Sequence, residues 1–131
     1  MSTARGPLHG IRVVELASEQ GAFAGLTLAG MGADVIVVEP PGGHGTRTYE
    51  PFVDDRPDPE QSLWWWHYNV GKRGVVLDLD RAEDAESFRR LVATADVVIE
   101  GEKPGRLTAL GVDYADVASS APGVVWVSAT P

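Results

Sequence analysis

Binding chemistry in this chain could start at Ser18-Glu19-Gln20-Gly21-Ala22, where an apolar run gives way to a segment of small residues. If a helix begins there, its free backbone N–H groups can hold a phosphate or another anion. Ser18, Gln20, Gly21 and Ala22 are therefore candidate binding residues. The pattern is not Gly-x-Gly-x-x-Gly. Only Gly21-x-x-x-Gly25 survives, with Glu39 eighteen positions after Gly21, near the spacing of a ribose-binding acid. A dinucleotide reading lacks the glycines that let the backbone approach a pyrophosphate. Small residues that pack a helix onto a sheet explain the same spacing.

Other reactive side chains are scattered. Lys72-Arg73 could hold an anion, but a solvated pair is the usual outcome for such a dipeptide. His67 has no neighbouring carboxylate or nucleophile to orient it for acid–base work, which favours a structural histidine. Asp78 and Asp80 alternate at a strand end and Asp84 and Glu86 fall on a helix, so neither set, nor Asp54-Asp55, forms a paired-carboxylate site. No group of His, Asp or Glu has metal-ligand spacing, and no nucleophile elbow occurs. The expectation is no metal. Trp64-Trp65-Trp66 cannot all be buried in one helix, where successive residues point about 100° apart; at least one belongs at the surface or an interface.

The elements that would position these groups alternate. Ile11 to Leu16 is a short β-branched run of the kind buried on both faces in a parallel sheet. Ala22 to Met31 reads as a helix, with Gly32 placed for a left-handed cap. Val35 to Glu39 is a second strand, ended by Pro40-Pro41-Gly42-Gly43. The chain is then loop to about Gln61, long enough to suggest a functional or partner-contacting segment. Ser62 caps a short helix to Tyr68, and Val75 to Leu79 is a third strand. Arg81 to Thr94 carries Ala82, Ala85, Phe88, Leu91 and Val92 at helical spacing, a core-facing stripe. Val97 to Ile99, a helical turn from Arg106 to Leu110 and a fifth strand from Val124 to Val127 follow. The pattern implies an α/β fold: a Rossmann-like open, mostly parallel sheet with flanking helices, in a single domain over residues 1–131.

Composition narrows the partners. Nineteen acidic and eleven basic residues leave a net charge of −8, with no basic cluster, so nucleic acid is not an expected partner. There is no cysteine, which fits a cytoplasmic location. The N-terminus runs into a strand without an apolar signal segment, and no apolar run approaches the roughly 20 residues that span a bilayer, so no membrane is expected.

Longer motifs add a resemblance. Pro7-Leu8-x-Gly10-x-Arg12-Val13-Val14-Glu15-Leu16 and Gly32-Ala33-Asp34-Val35-Ile36-x-Val38-Glu39-x-Pro41-Gly42-Gly43 resemble the opening of the family III CoA-transferases, which include formyl-CoA transferase, carnitine CoA-transferase and α-methylacyl-CoA racemase. The likeness continues through Asn69-x-x-Lys72-Arg73-x-Val75-x-Leu77-Asp78-Leu79, Ala95-Asp96-Val97-Val98-Ile99-Glu100, Pro104-Gly105, Leu110-Gly111-Val112 and Val125-Trp126-Val127-Ser128. It implies coenzyme A or acyl-CoA and a carboxylic acid as substrates, and CoA transfer through acyl-aspartyl and aspartyl-CoA intermediates. It also implies an intertwined homodimer, a catalytic aspartate beyond Pro131, and hence an N-terminal portion that is inactive alone. CoA would contact the first turn together with Leu77, Gly101, Lys103 and Arg106.

Several positions depart from the family pattern. The first turn is one residue shorter and carries Glu19 and Phe23, while Pro40 stands where the family has basic groups facing the CoA nucleotide. The family's Glu-Asn-Phe becomes Glu100-Gly101-Glu102, with Lys103 and Arg106 close enough in sequence to offset Glu102, and the serine after Lys-Arg is Gly74. The alternative is a degenerate, non-catalytic CoA-transferase-like module that serves dimer or domain contacts.

Overall fold

β-branched runs too short to cross the sheet more than once set the frame. The computed structural model describes residues 5–130. In it β1 (Arg12–Leu16), β2 (Asp34–Glu39), β3 (Arg73–Val76), β4 (Val97–Glu100) and β5 (Val125–Ser128) form one sheet in the order β3-β2-β1-β4-β5. All four pairings are parallel. The α/β, Rossmann-like expectation holds, and the strand order reverses between β1 and β4.

Alternation along the strands divides the core. Val14, Leu16, Val38 and Val98 face α3 (Ala82–Val92) and the short helices α4 (Arg106–Ala109) and α5 (Tyr114–Val117), around the fully buried Phe88. On the other face, Val13, Val35 and Ile99 pack beneath α1 (Ala22–Gly30), and Ala17 and Val37 pack against Trp65 of α2 (Leu63–Asn69). Of the expected stripe on α3, Ala85, Phe88 and Val92 are buried and Leu91 is half-buried. Ala82 is exposed, because it is the first residue of its helix and lies clear of the sheet.

Other elements differ from expectation for local reasons. β3 starts at Arg73, two residues early, because its ladder partners Ile36 to Glu39 of β2 end at Pro40. An edge strand tolerates Arg73 and Gly74, and Leu77 to Asp80 become the loop into α3. The long loop contains two 3-10 turns, Gly45–Thr48 and Val53–Asp55, and is tied back by a Phe52–Ser62 bridge. α5 was not expected; Asp113 and Asp116 form a capping box that starts it. Ser62 caps α2 as expected, its Oγ accepting from Trp65 N at 3.2 Å.

The tryptophan run separates as helix geometry demands. Trp65 is buried, Trp64 packs edge-on against Tyr49 and tilted against Tyr68, and Trp66 is 48% exposed with Nε1 donating to Glu60 O. His67 is exposed and packs edge-on against Tyr68.

Beneath α1 lies the largest departure from expectation. Lys72 is not a solvated cation: its side chain is fully buried, with Nζ 2.8 Å from Glu15 Oε1. Its three protons are directed to Glu15 Oε2 at 3.1 Å, Ala22 O at 3.1 Å and Asn69 Oδ1 at 3.2 Å. Oε1 of Glu15, the oxygen nearer the ammonium, meets it off the axis of a hydrogen bond and has no other partner among the described residues. α1 can close over this pair because position 25 is glycine; a Cβ there would collide with Glu15 Oε1.

Two outcomes follow from this packing. Gly25→Ala is expected to lower stability by about 1–3 kcal/mol through overpacking, despite alanine's better helix propensity. Gly30→Ala on the same helix, where a Cβ meets nothing within 4 Å, is not. Urea denaturation of the two variants checks the contrast. Second, burial pushes the Glu15 carboxyl up to about 7, against the pull of Lys72. The folded state then holds this proton more tightly than the unfolded chain. The contribution is full below the ordinary carboxyl value of 4.5 and is lost as pH rises to about 7. Stability measured across that window should fall with rising pH, and Glu15→Gln should remove that part of the slope.

Candidate functional site

In an open parallel sheet, ligands enter at the carboxyl ends of the strands where the strand order reverses. Here the loops after β1 and β4 meet at that point. A Cβ on Gly101 would lie 2.9 Å from both Cβ and Oγ of Ser18, so only glycine lets the loops approach this closely.

Two adjoining clefts open there. One, of about 390 Å3, is bounded by Ser18, Gln20, Tyr49, Gly101 and Lys103. The other, of about 140 Å3, is bounded by Leu16, Glu39, Leu77, Asp80 and Arg106. Ala17, His44 and Glu102 line both, so the two clefts adjoin at these residues and are together termed the crevice. Six of the eight residues singled out from sequence thus come together: Ser18, Gln20, Gly101 and Lys103 on one side, Leu77 and Arg106 on the other. Gly21 and Ala22 line neither cleft. Both are buried, the Gly21 N–H donates to Ser18 Oγ at 2.9 Å, and Ala22 O receives Lys72. Their part is to support the turn.

Charge in the crevice is largely paired. Arg106 Nε lies 3.3 Å from Glu102 Oε2, and its Nη2 lies 3.4 Å from Asp80 Oδ2. Lys103 is exposed and makes no ion pair among the described residues. Tyr49 Oη donates to Glu19 Oε2 at 2.8 Å, joining the long loop to the first turn.

Glu39, which has the spacing of a ribose acid, is occupied. Arg47 forks onto it, Nε to Oε2 at 2.6 Å and Nη2 to Oε1 at 2.8 Å, and the His44 N–H adds a third bond at 2.9 Å. Burial opposes ionisation of Glu39, but these donors outweigh it and hold the carboxyl below its usual value. The Arg47 guanidinium lies over Trp65, its Cζ 4.2 Å from the ring centroid. Three donors already bind this carboxylate, so its position gives the dinucleotide reading no added support.

His44, which sequence reading passed over, is set by the same loop. Its Nδ1 lies 2.8 Å from Thr46 Oγ1 and 3.2 Å from Thr46 N; when Nδ1 accepts the Thr46 N–H, the neutral ring carries its proton on Nε2. Burial holds its pKa below 6.5, while Glu39 and Glu102 pull it upward. The available signal was the glycine-flanked Gly42-Gly43-His44-Gly45, which frees the backbone to fold a histidine back over the strand ends. Among the described residues, no group of three or more His, Asp or Glu could hold a metal ion.

The sequence pattern of CoA-transferase family III matches residues 8–131. This chain belongs to that family. It is 45% identical over 134 residues to a succinate–glutarate CoA-transferase of Agrobacterium fabrum, covering 99% of this chain and 34% of the relative. It is 38% identical over 120 residues to subunit BbsE of the succinyl-CoA:(R)-benzylsuccinate CoA-transferase of Thauera aromatica, covering 92% of this chain and 29% of the relative. Among solved structures, a CAIB/BAIF family protein from Brucella suis superposes with a TM-score of 0.85 at 43% identity, covering 95% of this chain and 33% of that one. The family III chain therefore spans about a third of the length of the relatives it matches. No helix among its described residues is long and apolar enough to cross a membrane.

The pairing at Glu39 makes a testable contrast. Arg47→Ala should cost about 3–5 kcal/mol, because it strands a buried carboxylate and uncovers Trp65. Arg73→Ala, which removes an exposed partner of Asp34, should cost no more than about 1 kcal/mol. Chemical denaturation of both variants measures the difference.

Proposed function

We propose that this chain forms the CoA-binding crevice of an acyl-CoA:carboxylate CoA-transferase or of a related acyl-CoA racemase. The observation that carries the reading is the crevice at the strand-order reversal, built in a family III chain with Gly101 and Ser18 in contact. In this reading the chain binds and orients, and an aspartate elsewhere in the protein performs nucleophilic acyl transfer. Gly101 lets the loops after β1 and β4 close on each other, and Ser18 and Gln20 supply polar contacts. Lys103 is the cation for a phosphate, since Arg106 is held between Glu102 and Asp80. The substrates are an acyl-CoA and a carboxylic acid, met in the cytoplasm. A second copy of the chain covers apolar surface such as Phe23 and Trp66, which are 66% and 48% exposed.

Calorimetric titration of the complete protein with CoA tests the reading. Saturable binding is expected, with Lys103→Ala raising Kd by about tenfold through loss of a charged hydrogen bond. No heat of binding at millimolar CoA would overturn it.

A further inference from the structure

Two of the three residues that line both clefts carry polar side chains, His44 and Glu102. They come from opposite sides of the strand-order reversal: His44 follows β2 and Glu102 follows β4. Each has one polar atom left over. Nδ1 of His44 is engaged with Thr46, and its Nε2 makes no hydrogen bond among the described residues. Glu102 Oε2 faces Arg106, and no hydrogen bond reaches its Oε1 among the described residues. In the tautomer whose Nδ1 accepts the Thr46 N–H, the junction of the clefts offers one N–H donor, His44 Nε2, and one carboxylate acceptor, Glu102 Oε1.

We propose that His44 and Glu102 form an amide-reading neck, in which Nε2–H donates to the carbonyl and Glu102 accepts the N–H of a secondary amide in the bound ligand. The inference rests on the CoA reading of the crevice and deepens it, since the pantetheine arm of CoA carries two secondary amides. A phosphate is a poor occupant beside Glu102, because like charges at contact distance repel. A purely apolar arm would strand both polar groups without partners. The other charges around His44 are committed: Glu39 to Arg47, and Arg106 to Glu102 and Asp80. The neck thereby places the amide arm at the junction and leaves the phosphates to the Lys103 side.

The test titrates the complete protein with CoA and with adenosine 3′,5′-bisphosphate, which carries the nucleotide without the arm. His44→Asn keeps a side-chain oxygen to cap Thr46, so the loop fold is retained, but it removes the Nε2–H. It should weaken CoA by about threefold to tenfold, the worth of one net hydrogen bond, and leave the bisphosphate within about twofold. Glu102→Leu should weaken CoA relative to the bisphosphate, whose own binding can only gain from the charge removed and from the Arg106 released. Glu102→Gln, which keeps an acceptor oxygen, should bind CoA within about twofold of the parent. Equal weakening of both ligands by His44→Asn, or of neither, overturns the neck. Absence of CoA binding by the parent protein would instead remove the crevice reading itself, and the neck with it.

Discussion

A lysine ammonium held on a glutamate inside the sheet is the contact on which the other positions depend. Glu15 lies in the central strand and Lys72 is 57 positions away, yet Nζ also grips the first turn of α1 at Ala22 O and the end of α2 at Asn69. One charge thus locks two helices and the approach to β3 over a single point of β1. A buried ion pair adds little net stability once desolvation is counted. Its effect here is geometric: any slide of α1 or α2 along the sheet would leave a buried charge unmatched. Because Ala22 follows the Ser18 turn directly, the pair also holds the floor of the crevice.

The second constraint acts at the crevice wall. Glu39, Arg47 and Trp65 bind the long loop to the end of β2 through a forked ion pair whose guanidinium lies over an aromatic ring. That arrangement uses up an acid whose sequence position suits a ribose and turns it into an anchor. What the loop then presents to a ligand is His44 and Tyr49. The shape of the crevice depends on glycines and on internally paired charge.

Much of this was legible from residue order. The β-branched runs located β1, β2 and β4, because a strand buried on both faces has little choice but to be apolar, and they marked the exposed edge strands β3 and β5 with shifted bounds. Gly32, placed for a left-handed turn, has φ 99°. Ser62 caps α2 because its hydroxyl is the only side-chain acceptor at the right offset. β3 slipped by two residues, since an edge strand follows its neighbour's ladder rather than its own hydrophobicity. Lys72 was misread because dipeptide context says nothing about a partner 57 residues away. The missed signal was Glu15: an acid amid apolar strand residues must find a cation or stay protonated.

By itself, then, the sequence determined the order of elements, the parallel sheet, the family motifs and the loops that reach the strand ends. These follow from local periodicity and turn chemistry, which act over a few residues. Only the tertiary structure decided which charges are free. It buried Lys72, occupied Glu39, divided Arg106 between two acids and turned Gly21 inward, leaving His44, Lys103 and one oxygen of Glu102 to face the crevice. The physical reason is that a polar group's availability depends on partners brought near by packing, and sequence separation does not encode that distance.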